Sequence, residues 1–448
     1  MPPKESSPLL PEGSRYSTHK NGLTSQSSAA EQENVRKKQE PLKRQNFLLL
    51  VGGILLVALV FSFFGNSASH TLRKQTGPYR LVELQEGKKF FDHYEFLDGP
   101  DSIGSAGYNE YVGKSRAENL GLANVTREKE TDYIYLQSIA GSGGSGFRKS
   151  VRLEGKRRFN RGLFVLDVAH MPSGCGVWPA FWLTDEDAWP DNGEIDIVEG
   201  INTQSVAKTA LHTSESCSMY AHVPTYAKTG GWDTASGIPN TYTGIPDYET
   251  HVEADNCWVM APHQWGNQGC VAVSAENGTI GEPMNAVGGG VYVLEWDPAN
   301  GYIKSWVFKR GHIPLNLRDS IRTASSSIPV LPQPDTWDLP YAYFAIGEGS
   351  GCSLNHFKNM RLIFNLAFCG AVAGNRFFRD CPTLSAQWNV KNDSVLTCNA
   401  YLDSEPAALS EAYWKIRGVY VYQRDWQRMG NKTKDSQPST EDDEQEGR

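Results

Sequence analysis

The segment Trp189-Pro190-Asp191-Asn192-Gly193-Glu194-Ile195-Asp196-Ile197-Val198-Glu199-Gly200 places three carboxyl groups close together in an otherwise apolar run. Carboxylates crowded on such a run repel one another and give up hydration. A stretch that keeps all three is therefore a candidate for acid, base or nucleophile chemistry rather than for packing. Ile195, Ile197 and Val198 predict a β-strand. Side chains alternate along a strand, so Glu194 and Asp196 share a face while Glu199, an odd number of positions from Glu194, would point the other way. One extra residue, a β-bulge around Ile197-Val198, restores the phase and brings all three acids to one side.

Two carboxyls two strand steps apart suit retaining glycosidic cleavage, which needs them roughly 5 Å apart across the scissile bond. One must stay ionised to attack the anomeric carbon, and the other must hold a proton for the leaving oxygen. Crowded like charges push the two titrations apart, as that division requires, and couple them. Asp196, between them, can hydrogen-bond the nucleophile. A solvent-facing acidic strand fits less well, because apolar residues interleave. A divalent-cation site also fits less well, since calcium loops add Asn, Asp and backbone carbonyl ligands. No metal and no cofactor is expected.

With its surroundings, the segment resembles the E-x-D-x-x-E signature of glycoside hydrolase family 16. Upstream stands Gly176-Val177-Trp178-Pro179-Ala180-Phe181-Trp182-Leu183, similar to the W-P-A-F-W strand of that family, and downstream Leu211-His212-Thr213, similar to its L-H-T strand. The likeness extends through Phe90-Phe91-Asp92, Arg148-Lys149-Ser150-Val151-Arg152, Tyr292-Val293-Leu294-Glu295-Trp296, Phe368-Cys369-Gly370 and Ala412-Tyr413-Trp414-Lys415-Ile416. It covers roughly residues 88 to 424 and is strongest toward fungal endo-1,3(4)-β-glucanases, the laminarinases.

The resemblance implies an all-β, concanavalin-like jelly roll of two curved antiparallel sheets, a concave cleft, retention of configuration, and β-1,3- or β-1,3/1,4-glucan as substrate. It implies Glu194 as nucleophile, Asp196 as assisting acid and Glu199 as acid/base. Trp182 and Trp189 match aromatic residues flanking the subsites, and His212 a histidine at the cleavage site. Trp178 also falls in the motif, although core packing explains it slightly better. One stretch departs from the pattern: Gly370-Ala371-Val372-Ala373-Gly374 stands where that branch usually has Gly-Asp-Trp-Ala-Gly. A missing aromatic there bears on substrate preference more than on chemistry. Transfer to a sugar acceptor and a non-catalytic glucan receptor remain open alternatives.

Elements to position such a site are legible in outline. Short runs such as Tyr133–Leu136, Gly162–Val168, Val291–Trp296, Ile303–Phe308 and Val419–Tyr422 recur between turn signals and predict one large antiparallel sandwich. Only Pro406 to Trp414 reads as helical. Gly141 to Gly146 reads as a flexible loop, and residues 214 to 270 as a long excursion over one face. The 11% aromatic content, with 12 Trp and 19 Tyr, is enough to furnish a sugar-stacking groove as well as a core. A net charge of -8 argues against a nucleic-acid partner, and a monomer is expected.

Residues 1–45 read as a disordered cytoplasmic tail, 46–65 as a transmembrane helix, 66–87 as a stalk, 88–424 as the catalytic domain and 425–448 as a disordered acidic tail. The uncharged run from Phe47 to Phe64 is close to the ~20 residues that cross a bilayer. Arg36, Lys37, Lys38, Lys43 and Arg44 precede it, which predicts a type II, signal-anchored protein with its larger part lumenal or extracellular. Glu5-Ser6-Ser7-Pro8-Leu9-Leu10 resembles an acidic dileucine sorting signal, so vacuolar or endosomal membranes are expected alongside the plasma membrane. All 8 cysteines lie beyond the span and suit disulfides. Sequons at Asn124, Asn277, Asn392 and Asn431 lie on the same side.

Overall fold

Two eight-stranded sheets, antiparallel throughout, carry the molecule. The computed structural model describes residues 77–101, 105–140, 146–234, 253–262 and 264–424. In one sheet the strands lie in the order Ala342–Ala345, Tyr302–Lys309, Gly290–Asp297, Gly162–His170, Trp414–Arg424, Thr131–Leu136 and Ala123–Glu128, with Tyr79–Glu86 paired on Trp414–Arg424. The other runs Gly231–Trp232, Cys270–Val273, Lys208–His212, Glu194–Glu199, Val177–Thr184, Met360–Phe368, Arg152–Phe159 and Tyr94–Phe96.

Period-two patterning decides which face of each strand is buried. Ile134 and Leu136 turn inward while Tyr133 and Tyr135 stay half-buried outside. Phe181 and Leu183 turn inward from the second sheet and meet Phe164, Leu166, Tyr292, Leu294 and Trp296 of the first in one core. A separate cluster of Val177, Leu366, Phe368, Phe377, Tyr401 and Leu402 lies at one end of the second sheet. It is stapled by Cys175–Cys381 and Cys369–Cys398. Cys217–Cys352 and Cys257–Cys270 hold the excursion of residues 214–270, of which 235–252 and 263 lie outside the described residues. All 8 cysteines are thus paired.

Two expectations need correction. Residues 79–86, assigned to a stalk, form a strand paired antiparallel with Trp414–Arg424. Alternation in Tyr79-Arg80-Leu81-Val82-Glu83-Leu84 is imperfect because the register slips between Leu81 and Glu83. The helix expected over Pro406 to Trp414 is one short turn, Pro406–Leu409, and Trp414 already begins a strand. The longest described helix is instead Ser394–Ser404, capped by the Asp393 side chain, which accepts from the Leu396 N–H. Its apolar residues follow no clear stripe because Cys398, Tyr401 and Leu402 bury against a local cluster and a disulfide. The apolar run at residues 47–64, the Gly/Ser loop at 141–145 and both terminal tails lie outside the described residues. Among the described residues, no helix is long and apolar enough to cross a membrane.

The Tyr79–Glu86 strand is anchored by buried charge. Arg424 donates to Glu295 Oε1 at 2.8 Å and pairs with Asp297 at 3.2 Å, while the Tyr79 hydroxyl donates to the same Glu295 oxygen at 2.7 Å. All four residues are buried. Lys304 reaches the other Glu295 oxygen only at 4.0 Å, so removing Arg424 would leave two buried carboxylates poorly compensated, which costs about 3–5 kcal/mol. Arg424→Met is therefore expected to lower stability by about that amount in urea denaturation, with Tyr79→Phe losing about 1 kcal/mol.

Candidate active site

The Glu194–Glu199 strand pairs with Val177–Thr184 through Thr184↔Glu194, Leu183↔Ile195 and Trp182↔Asp196, then slips. Phe181 faces Val198, so Ile197 is an extra residue with no partner opposite. The bulge falls where the acid spacing demands it. Ile195, Ile197 and Val198 all sink into the core. Glu194, Asp196 and Glu199 occupy the opposite face, in cross-strand rows with Thr184, Trp182 and Ala180. On the far side, Glu194 is opposite His212 and Asp196 opposite Ala210.

Each acid has a distinct partner. His212 Nε2 stands 3.1 Å from Asp196 Oδ2. The Trp178 indole N–H donates to Glu199 Oε1 at 2.5 Å. Trp189, the most exposed of these aromatics, stands beside the Glu194 carboxyl and favours its ionised form. Trp182 donates its indole N–H to Asn365 Oδ1 at 2.8 Å, and the Arg152 guanidinium lies over its ring at 5.1 Å. The Val177–Thr184 strand is regular, so Trp178 and Trp182 share the acids' face. The structure thus brings Glu194, Asp196, Glu199, His212, Trp178, Trp182 and Trp189 together.

Two glycines permit this approach. Gly193 has φ +74°, and a Cβ there would meet the His356 carbonyl oxygen at 2.1 Å. Gly269, with φ +67°, presses its backbone against His212, where a Cβ would come within 2.9 Å of Nδ1.

Electrostatics follow from crowding. Loss of hydration, then the charge of Asp196, raises the Glu194 carboxyl to about 8, against the opposing pull of His212. The same two causes raise Glu199 to about 7, against the Trp178 hydrogen bond. For His212, burial works toward the neutral ring. The hydrogen bond to Asp196 and the three neighbouring acids outweigh it and lift His212 to about 9. Donor atoms of Glu194, Asp196 and His212 lie within 4.8 Å of one another, a spacing a divalent cation could use. Two of those residues, His212 and Asp196, are paired with each other at 3.1 Å.

Sequence reasoning assigned no role to Arg152 or Asn365. Arg152 lies in a stretch already noted for its likeness, but Asn365 carries no local signal. It reaches Trp182 only because strands far apart in the chain lie side by side. Val372, in the departing Gly370–Gly374 turn, packs with Trp178, Ile201, Ala367 and Ala373. Of the sequons, Asn277 and Asn392 are exposed and Asn124 is half-buried, while Asn431 lies outside the described residues.

A family model described as the XgeA-like, catalytic GH16 domain matches residues 94–422. The chain belongs to glycoside hydrolase family 16. This family 16 chain is 34% identical over 384 residues to a probable endo-1,3(4)-β-glucanase of Aspergillus fumigatus, covering 84% of itself and 50% of that protein. It therefore spans about half the length of the Aspergillus relatives it matches. A probable glycosidase of Schizosaccharomyces pombe is 32% identical over 348 residues, 77% of this chain and 69% of the relative. Among solved structures, an elongating family 16 β-1,3-glucosyltransferase superposes with a TM-score of 0.61 at 31% identity, covering 77% of this chain and 100% of that one. Laminarinase 16A from Phanerochaete chrysosporium gives 0.57 at 29% identity over 77% and 99%. The two-sheet family 16 fold is therefore shared.

The raised carboxyls carry a stability signature. A Glu whose folded pKa exceeds its unfolded value binds the proton more tightly when folded. Its contribution is present below about pH 4 and lost as pH rises through 7 to 8. Glu194→Gln, which cannot ionise, is expected to melt a few degrees above the wild type at pH 8, the shift that about 1 kcal/mol makes in a large domain. The two should melt together at pH 4. Calorimetry at both values checks this.

Proposed function

We propose that this domain cleaves internal β-1,3 or mixed β-1,3/1,4 linkages of glucan with retention of configuration. The observation that carries the reading is the single face shared by Glu194, Asp196 and Glu199 across the Ile197 bulge. A Glu194 carboxylate oxygen attacks the anomeric carbon as the glycosidic C–O bond breaks. The bonding pair leaves with the oxygen, which takes the Glu199 proton. Ionised Glu199 then removes a proton from water, whose oxygen displaces Glu194 from the anomeric carbon. Protonated His212, close to Glu194 and paired with Asp196, favours placing the negative charge on Glu194. The rise of Glu194 to about 8 already includes that pull, so the division of charge is decided on binding, when the glycosidic oxygen gives the Glu199 proton an acceptor. Trp182 and Trp189 offer ring faces beside the acids for pyranose stacking.

The linkage preference follows the named activities of the Aspergillus relatives. Transfer of the glycosyl unit to a sugar acceptor is the competing outcome, favoured by the likeness to the elongating β-1,3-glucosyltransferase. A non-catalytic glucan receptor has no use for a proton-sharing acid pair. We further propose a type II membrane protein whose domain faces an oxidising lumen or the exterior, at the vacuolar, endosomal or plasma membrane. The four disulfides support that compartment.

Reducing-end release from laminarin by the wild type is expected to fall by at least about three orders of magnitude in Glu194→Gln. Loss in the variant of nothing but background, with an inactive wild type that still binds laminarin, would favour the receptor. Sizing products from laminarin oligosaccharides separates hydrolysis from transfer, since transfer gives products longer than the substrate. The kcat/KM profile on laminarin is expected to be a narrow bell centred between about pH 7 and 8, because Glu194 must be ionised while Glu199 keeps the proton it donates.

A further inference from the structure

We infer that Trp178 is a positioning residue that selects which oxygen of Glu199 carries the catalytic proton. The inference rests on the acid/base reading of Glu199 given above. An indole N–H donates and cannot accept. With Trp178 Nε1 at 2.5 Å from Oε1, that oxygen must be the acceptor in both protonation states of Glu199. The carbonyl oxygen of a carboxyl is a better acceptor than its hydroxyl oxygen, so the acid proton is favoured on Oε2. The contact therefore turns a carboxyl with two equivalent oxygens into one with a fixed donor.

The indole is held firmly enough to do this. It is 8% exposed and packs with Ile201, Ala367, Ala373 and Val372. Its strand partner is Ala367, too small to push it aside. The backbone beneath is pinned as well, for Gly200 N–H donates to the Pro179 carbonyl at 3.1 Å and Asn202 N–H to that of Val177 at 3.0 Å. Val372 stands in the segment where this chain departs from the Asp-Trp pattern, and it packs against the cluster that contains this indole.

The same contact acts on both chemical steps. In the first, Oε2–H gives its proton to the glycosidic oxygen as that oxygen takes the bonding pair. In the second, Glu199 is ionised and the indole N–H stabilises the carboxylate until Oε2 recovers a proton from water. The hydrogen bond thus opposes the rise that burial and Asp196 impose on Glu199.

The test compares Trp178→Phe, which keeps an aromatic ring in the pocket, with the wild type. On laminarin, which needs a protonated leaving oxygen, kcat/KM is expected to fall at least 10-fold. On a dinitrophenyl laminaribioside, whose leaving group departs without a proton, the loss in kcat/KM is expected to be at least 10-fold smaller. The alkaline limb of the laminarin profile should move to higher pH, because the carboxylate loses its donor. Equal losses on both substrates, or an unmoved limb, would overturn the inference and leave Trp178 a packing residue. Glu199→Gln is the control for the underlying reading. If it retains wild-type activity on laminarin, the acid/base assignment itself fails, whatever Trp178→Phe does.

Discussion

A β-strand can present its acids on one face only by keeping their spacing even, and the Glu194–Glu199 strand breaks that rule. The supernumerary Ile197 resolves the conflict. It lets Ile195, Ile197 and Val198 all enter the core while Glu194, Asp196 and Glu199 all leave it. The core gains three adjacent aliphatic anchors, and the acids are held by a strand that cannot slide. A slip by one residue would bury carboxylates and expose aliphatics, at a cost of several kcal/mol. Register on both neighbouring strands depends on this, including the placement of Trp182 opposite Asp196 and His212 opposite Glu194.

Charge is distributed with the same economy. Three acids crowded on a half-buried face would be untenable without compensation. The neighbouring elements supply a cation paired with Asp196, His212, an indole donor to Glu199, Trp178, and the Trp189 indole beside Glu194. Each partner falls on a different acid, so the acids are chemically distinct although they sit on one short strand. This inequality is what a division between nucleophile and proton donor needs. The fold maintains it at a cost in stability at neutral pH, as active sites commonly do.

Away from the site, the sandwich closes at its edges by covalent and ionic means. The first and last described strands are joined through Arg424, Glu295 and Tyr79. Disulfides tie the excursion near His356 and the helical segment after Phe368 to the sheets.

Local residue order alone determined the strand, its bulge, the identity of the three acids and the sandwich class. Apolar alternation and carboxylate spacing are short-range properties that one segment displays by itself. Even the shared face of Trp178 and Trp182 follows from regular alternation. The stalk at 66–87 and the helix at 406–414 were misjudged for the complementary reason. Tyr79–Glu86 becomes a strand only because Trp414–Arg424 offers it an edge, and Trp414 is drawn into that same strand. Which cysteines pair, which oxygen Trp178 holds, and how Asn365 and Arg152 reach Trp182 were decided by tertiary structure alone. These contacts join residues far apart in the chain, and their energies exist only once the two sheets have brought the distant strands into register.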